Sequence, residues 1–152
     1  MLIRQAIPDD LPAIRKLEQE APTAAHWAER EYDALFSPEA PRRMALVAIA
    51  EEDCGRIHGF VIARCAGPEW EIENVVVAGG WRRTGVASAL LRELLRAARG
   101  GATSVELEVR ESNVTARQLY EKLGFSEIGR RTCYYRDPLE DGLLLRISIA
   151  VP

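Results

Sequence analysis

The run from Ile72 to Leu95 changes its period halfway, and that change dictates a strand, a turn and a helix in immediate succession. Ile72 to Val77 is β-branched and apolar at four of its six positions, the composition of a buried or half-buried strand. From Val86 the apolar residues recur at helical spacing. Val86, Leu90 and Leu94, with Leu91, Leu95 and Ala98 beside them, form one stripe, and Ser88, Arg92, Arg96 and Arg99 lie along the other.

Between strand and helix sits Arg82-Arg83-Thr84-Gly85-Val86-Ala87. A turn that opens a helix presents backbone N–H groups with no intrahelical partner, and the helix dipole adds positive potential there. Gly85 and Ala87 are small enough for a ligand to approach the main chain, and two arginines favour an anion, with pyrophosphate the natural candidate. Glycine spacing alone also fits a plain tight turn with solvated arginines. The dinucleotide fingerprint Gly-x-Gly-x-x-Gly is absent, as is the Gly-Lys-Ser/Thr of a nucleotidase phosphate loop.

A chain of 152 residues is long enough to bury one core without disulfides or metals, so one domain is expected over residues 1–152. A net charge of −3 argues against a nucleic-acid partner. Cys54, Cys65 and Cys133 are odd in number and lack metal-ligand spacing, which reads as reduced thiols in a cytoplasmic protein with no metal site. The N-terminus has no apolar signal core and no segment has the length of a membrane span, so no membrane partner is expected.

In order, Leu2 to Ala6 reads as a strand, and Pro8-Asp9-Asp10 as the cap of a helix through Leu11, Ile14 and Leu17 to Glu20, broken at Ala21-Pro22-Thr23. A second amphipathic helix is expected from His26 through Tyr32 and Leu35 to Phe36. Met44 to Ala50 and Ile57 to Ala63 are strands joined by a hairpin turn at Gly55, and Gly67-Pro68 turns the chain into the strand ending at Val77. Gly100-Gly101 is expected to end the central helix as an αL cap. Thr103 to Val109 alternates strictly, with Val105, Leu107 and Val109 on one face and Glu106 and Glu108 on the other. Asn113 caps a short helix with Ala116, Leu119, Tyr120 and Leu123 on its inner face and Gly124 at its end. Phe125 to Tyr135 and Leu143 to Val151 are closing strands, the latter expected as an apolar edge. The order is β-α-α-β-β-β-α-β-α-β-β, an α/β fold with a mixed sheet and helices on its faces.

With this order, Arg82, Gly85 and Ala87 resemble the Arg/Gln-x-x-Gly-x-Gly/Ala motif of the GNAT superfamily of N-acetyltransferases. Leu107 to Asn113, followed by Ala116, Leu119-Tyr120-Glu121 and Leu123-Gly124-Phe125, is similar to the ribosomal-protein alanine acetyltransferases, as is Tyr134-Tyr135 ahead of Glu140-Asp141. The resemblance spans essentially the whole chain. It implies a mostly antiparallel sheet splayed between the strand ending at Val77 and the strand Thr103 to Val109, with acetyl-CoA as co-substrate and no metal.

By that resemblance the backbone of Val75, Val76 and Val77 lines the pantetheine arm, and the N–H groups of Arg83, Thr84, Gly85, Val86, Ala87 and Ser88 hold the pyrophosphate behind Arg82. Asn113 reaches the pantetheine side, Glu108 is the base and Tyr120 the acid at sulfur. Competing readings of the same residues stay open. Glu108 and Glu106 form the solvated side of an alternating strand, Tyr120 is a core tyrosine, and Glu73 and Glu71 are rival bases. His26 and His58 are read as surface or core histidines. The implied acceptor is a protein or peptide N-terminal α-amine; the alternatives are a small-molecule amine and a non-catalytic acyl-CoA sensor. The segment around Trp27 and the loop Arg136 to Gly142, which would line the acceptor side, match the subgroup only in part. Monomer and homodimer both fit the sequence.

Overall fold

Strands form where β-branched and apolar residues cluster, and they fall into one sheet. The computed structural model describes residues 1–21, 24 and 27–149. Strands β1 (Leu2–Gln5), β2 (Arg43–Ile49), β3 (Ile57–Ala66), β4 (Glu69–Val77), β5 (Ser104–Arg110), β6 (Ser126–Tyr135) and β7 (Glu140–Ser148) join in the order β1-β2-β3-β4-β5-β7-β6. Every pairing is antiparallel except β4 with β5.

The helices divide between the two faces. Helix α3 (Val86–Ala98) and helix α4 (Val114–Leu123) pack on one face. There Leu90, Leu91 and Leu94 are fully buried against Val61, Val105 and Leu107, and Leu119 and Tyr120 pack at the margin. Helices α1 (Leu11–Glu20) and α2 (Glu29–Ala34) cover the other, where Ile14, Leu17 and Tyr32 meet Val47, Phe60 and Ile62. Alternation along β3 divides the core in this way, since Phe60 and Ile62 point one way and Val61 the other.

Several elements differ from the sequence expectation. The second helix is shorter, beginning at Glu29, and His26 lies outside the described residues, as do Pro22 and Thr23 of the expected break. Asp10 turns backward. Its carboxylate accepts from the Ile7 N–H at 2.8 Å and from Arg4 at 2.7 and 3.0 Å, and it makes no side-chain cap to α1. Gly100 and Gly101 are not left-handed; α3 ends in a tight turn in which the Gly101 and Ala102 N–H groups both bond to the Ala98 carbonyl. Gly124, by contrast, is a left-handed cap at φ 105°. Strand β7 is not an edge. It starts at Glu140, three residues before the expected Leu143, and lies between β5 and β6, so the edges are β1 and β6; Ala150 and Val151 lie outside the described residues. Among the described residues no helix is long and apolar enough to cross a membrane.

Gly59 sets how closely α3 sits on the sheet. A Cβ there would lie 3.0 Å from both the Val76 carbonyl oxygen and Val86 Cγ1, and 3.3 Å from Leu90. Because one contact is the main chain of β4 and the other two are α3 side chains, a methyl group is admitted only if β4 and the helix start give way by a few tenths of an ångström. Gly59→Ala is expected to lower stability by about 1–3 kcal/mol, read as a lower urea midpoint at unchanged slope.

Candidate active site

Strands β4 and β5 start together and then part. They pair in parallel only at Glu69 with Ser104, Trp70 with Val105 and Glu71 with Glu106. Beyond Glu71, β4 stays on β3 as far as Val77, while β5 stays on β7 as far as Arg110. The register of β4 against β3 slips between Ile72 and Asn74, which places a β-bulge at Glu73, just where the pairing with β5 has ended.

The bulge and the strand alternation decide what β4 offers to this cleft. The Ala78 N–H donates to the His58 carbonyl at 2.8 Å, so that opposed pair is hydrogen-bonded. In an antiparallel ladder such pairs alternate with pairs whose main-chain groups point away. Val77 and Val75, opposite Gly59 and Val61, therefore turn their N–H and C=O groups toward the cleft. Val76, opposite Phe60, turns its own toward β3 and buries its side chain on the α1 face. Of the three expected valines, two present backbone to the cleft and Val76 does not.

The turn between β4 and α3 carries two left-handed residues, Arg83 at φ 62° and Gly85 at φ 87°, in an exposed stretch. Alternating handedness of this kind makes a concave nest of N–H groups. The first bond of α3 runs from the Ala89 N–H to the Gly85 carbonyl at 3.0 Å, so the N–H groups of Val86, Ala87 and Ser88 precede the helical ladder. The nest is built on a firm base. A short 3₁₀ turn, Gly79–Trp81, leads into it; the Trp81 ring stacks on buried His58 at 4.3 Å, and the Thr84 hydroxyl donates to the Trp81 carbonyl. His58 is thus a core residue that positions the turn. Arg82 reaches back, its Nε 3.4 Å from the Val77 carbonyl. This open nest, leading to a strand edge with outward main-chain groups, fits a pyrophosphate with an amide-bearing arm.

On the face opposite α3, Glu71, Glu73, Glu106 and Glu108 each meet an arginine. Glu71 pairs with Arg64 at 3.2 Å, Glu73 with Arg43 at 2.7 Å, Glu106 with Arg146 at 2.7 Å, and Glu108 with Arg131 at 3.0 Å. The pairs are held differently. Arg43 is only 11% exposed and lies 4.9 Å from the Trp27 ring centroid, which locks it on Glu73. Arg131 is 57% exposed, while Glu108 beside it is 18% exposed. Glu108 is therefore a half-buried carboxylate with a solvent-facing partner.

Tyr120 lies on the inner face of α4, edge-on to Phe125 at 5.8 Å. Burial, with a smaller effect of Tyr135, pushes its phenol up to about 12. Tyr135 is also raised, first by burial and then by the Glu108 carboxylate, so it stands within electrostatic reach of both Glu108 and Tyr120. Arg110 covers its ring at 4.4 Å and pairs with Glu140. Gly142 on β7 makes room for it, since a Cβ there would lie 3.2 Å from Tyr135 and 3.3 Å from Tyr134. Asn113 caps α4, its side chain accepting from the Ala116 N–H at 3.3 Å. Sequence reasoning missed Arg131, Arg43, Arg110 and Gly142 as site residues. Tyr134-Tyr135 was the one signal pointing to that wall, and the pairings depend on a β6–β7 register that no local pattern encodes.

Residues 11–125 match the acetyltransferase (GNAT) family. The chain is 32% identical over 145 residues, 93% of each chain, to the [ribosomal protein bS18]-alanine N-acetyltransferase of Escherichia coli K12. It is 41% identical over 78 residues, 51% of this chain and 48% of the other, to N-alpha-acetyltransferase RimI of Mycobacterium tuberculosis. The crystal structure of the ribosomal-protein-S18-alanine N-acetyltransferase from Escherichia coli superimposes with a TM-score of 0.85 at 29% identity, covering 99% of this chain and 95% of that one.

Gly85 has nothing within 4 Å of where its Cβ would stand, so its left-handed backbone alone opposes replacement. Gly85→Val is expected to cost about 1–2 kcal/mol in a thermal or urea melt. Gly85→Asn, whose short polar side chain tolerates this conformation, should cost clearly less.

Proposed function

The chain belongs to the acetyltransferase (GNAT) family, and from that premise we propose that it moves an acetyl group directly from acetyl-CoA to the N-terminal α-amine of a protein or peptide in the cytoplasm. The single observation that carries the reading is the parting of β4 and β5, with a nest of N–H groups at one end and Glu108 on its far face. The relatives named for N-terminal alanine acetylation support the acceptor.

In this reading the N–H groups from Arg83 to Ser88 take the pyrophosphate, with the helix dipole behind them. The outward main-chain groups of Val75 and Val77 pair with the pantetheine arm as a strand would, and one of their N–H groups polarises the thioester carbonyl. Asn113, beyond capping α4, borders the same arm. Glu108 is the base. It takes the proton from the acceptor ammonium, directly or through one water. The freed nitrogen attacks the thioester carbon, the C–N bond forms and the C–S bond breaks. Tyr120 donates its phenolic hydrogen to the departing sulfur, and its raised pKa keeps that hydrogen in place across the working pH range.

Glu73, the rival base, has its carboxylate fixed by Arg43 under Trp27, and Glu71 is paired with Arg64 on the neighbouring strand. Glu106 lies where β4 and β5 are still paired, whereas Glu108 lies beyond their last pair and has the most exposed arginine of the four, which leaves room for an amine.

Release of CoA from acetyl-CoA should be seen with short peptides bearing a free α-amine and should vanish when that amine is blocked. Turnover confined to free amino acids, polyamines or other small amines would overturn the acceptor. Glu108→Gln and Tyr120→Phe should each lower kcat by roughly 10²–10⁴-fold with acetyl-CoA binding retained in a calorimetric titration. Normal turnover in either variant would remove that residue's role.

A further inference from the structure

The ion pair at Glu108 bears on how the acceptor loses its proton, an inference that rests on the base role proposed above. Arg131 Nε meets Glu108 Oε1 at 3.0 Å, and its guanidinium lies 5.1 Å from the Tyr134 ring centroid. Arg131 lies opposite Gly142 of β7 and Glu108 opposite Leu144, so the guanidinium reaches its carboxylate diagonally across β7. The neighbouring charges on this face are already balanced: Glu106 by Arg146, Glu73 by Arg43 and Glu71 by Arg64. Arg110 is engaged with Glu140 and the Tyr135 ring, and Tyr135 is held neutral by its raised pKa. An acceptor ammonium that docks on Glu108 therefore meets a single carboxylate charge that a guanidinium already balances.

We propose that Arg131 is a positioning residue that stays on one oxygen of Glu108 while the acceptor ammonium docks on the other, so that two cations share one carboxylate and the acceptor yields its proton readily. The guanidinium fixes the carboxylate's rotamer, which aims the second oxygen at the acceptor. Its fixed charge also disfavours the ammonium form beside it, because a like charge nearby always disfavours the charged state. The proton passes from the acceptor nitrogen by way of Glu108 to solvent, which reaches this pair at the exposed Arg131 side chain; the lone pair is left for the thioester carbon, and Arg131 gains and loses nothing.

The test is the pH dependence of kcat for a free-α-amine peptide at saturating acetyl-CoA, in wild type, Arg131→Ala, Arg131→Lys and Glu108→Gln. With the guanidinium removed, the bound ammonium holds its proton more tightly, so the acid limb of Arg131→Ala should move to higher pH by about one unit. At a fixed pH on that limb its kcat should fall by about tenfold for the same shift. Arg131→Lys, which restores the charge, should return the limb most of the way, an outcome that a purely structural role would not produce. An acid limb that stays in place in Arg131→Ala, with Glu108→Gln inactive, overturns this inference and leaves Glu108 as the base. If Glu108→Gln turns over normally, the base assignment falls and this inference falls with it.

Discussion

Three residue pairs hold β4 and β5 together, and the absence of a fourth makes the site. A parallel pair continues when both strands twist alike, yet here each strand has a stronger partner on its other side. β4 is bound along its length to β3, and the bulge at Glu73 adds local twist. β5 is bound to β7 at seven successive positions, from Ser104 opposite Ser148 to Arg110 opposite Gly142. The sheet therefore opens between them without any strand giving up its ladder, and the main-chain groups of Val75 and Val77 are left facing the gap. Unpaired strand edges of this kind ordinarily invite another chain; at this edge a ligand with amide groups can supply the missing partner.

Both ends of the gap are built from the consequences. On the α3 side, Gly59 lets the helix start approach the end of β4 closely, and the His58–Trp81 stack fixes the turn that carries Arg83 and Gly85 in the left-handed region. The positive φ at Arg83, a residue with a Cβ, costs conformational energy that only a well-anchored turn sustains. On the opposite side, the same departure of β5 from β4 brings β7 and β6 alongside it, so Arg131, Tyr134 and Tyr135 come to stand around Glu108. One divergence thus sets both the cradle for an anion and the surroundings of a carboxylate.

Element order was legible in the sequence because each element carried its own period: alternation in Val105, Leu107 and Val109, helical recurrence in Val86, Leu90 and Leu94, and chain punctuation at Gly67-Pro68 and Gly124. Residues whose role depends on local chain geometry were legible for the same reason, as with Gly85 in the turn and Asn113 at a helix start. Long-range register was not. The exposed character of Glu106 and Glu108 shows in the pattern, but their arginine partners come from β7 and β6, and a slip of one residue would exchange them for their neighbours. The placement of β7 was misread for a related cause, since an apolar run cannot say whether one or both of its edges are paired. The αL cap expected at Gly100-Gly101 failed because the Ala98 carbonyl is already satisfied by two N–H groups in a tight turn, which leaves a left-handed residue nothing to add.

In the proposed mechanism the burial of Tyr120 bears on the proton balance at sulfur. A phenol with its pKa pushed up to about 12 is a weaker acid than an ordinary thiol at about 8.5, so complete transfer to a solvated thiolate would be uphill by roughly 5 kcal/mol. The thiolate of the proposed mechanism leaves beside Tyr120 in the same apolar crevice, where desolvation raises a thiol's pKa as it raises a phenol's. On that proposal the two values draw together for the same physical reason, which lessens the uphill step while the C–S bond breaks. A more exposed tyrosine would be the stronger acid, but it would admit the water that makes free thiolate a stable product and removes the need for an acid. In the proposed mechanism the packing of Tyr120 against Phe125 and the core margin is part of its chemistry, and the core-tyrosine and proton-donor readings of this residue are compatible with one arrangement.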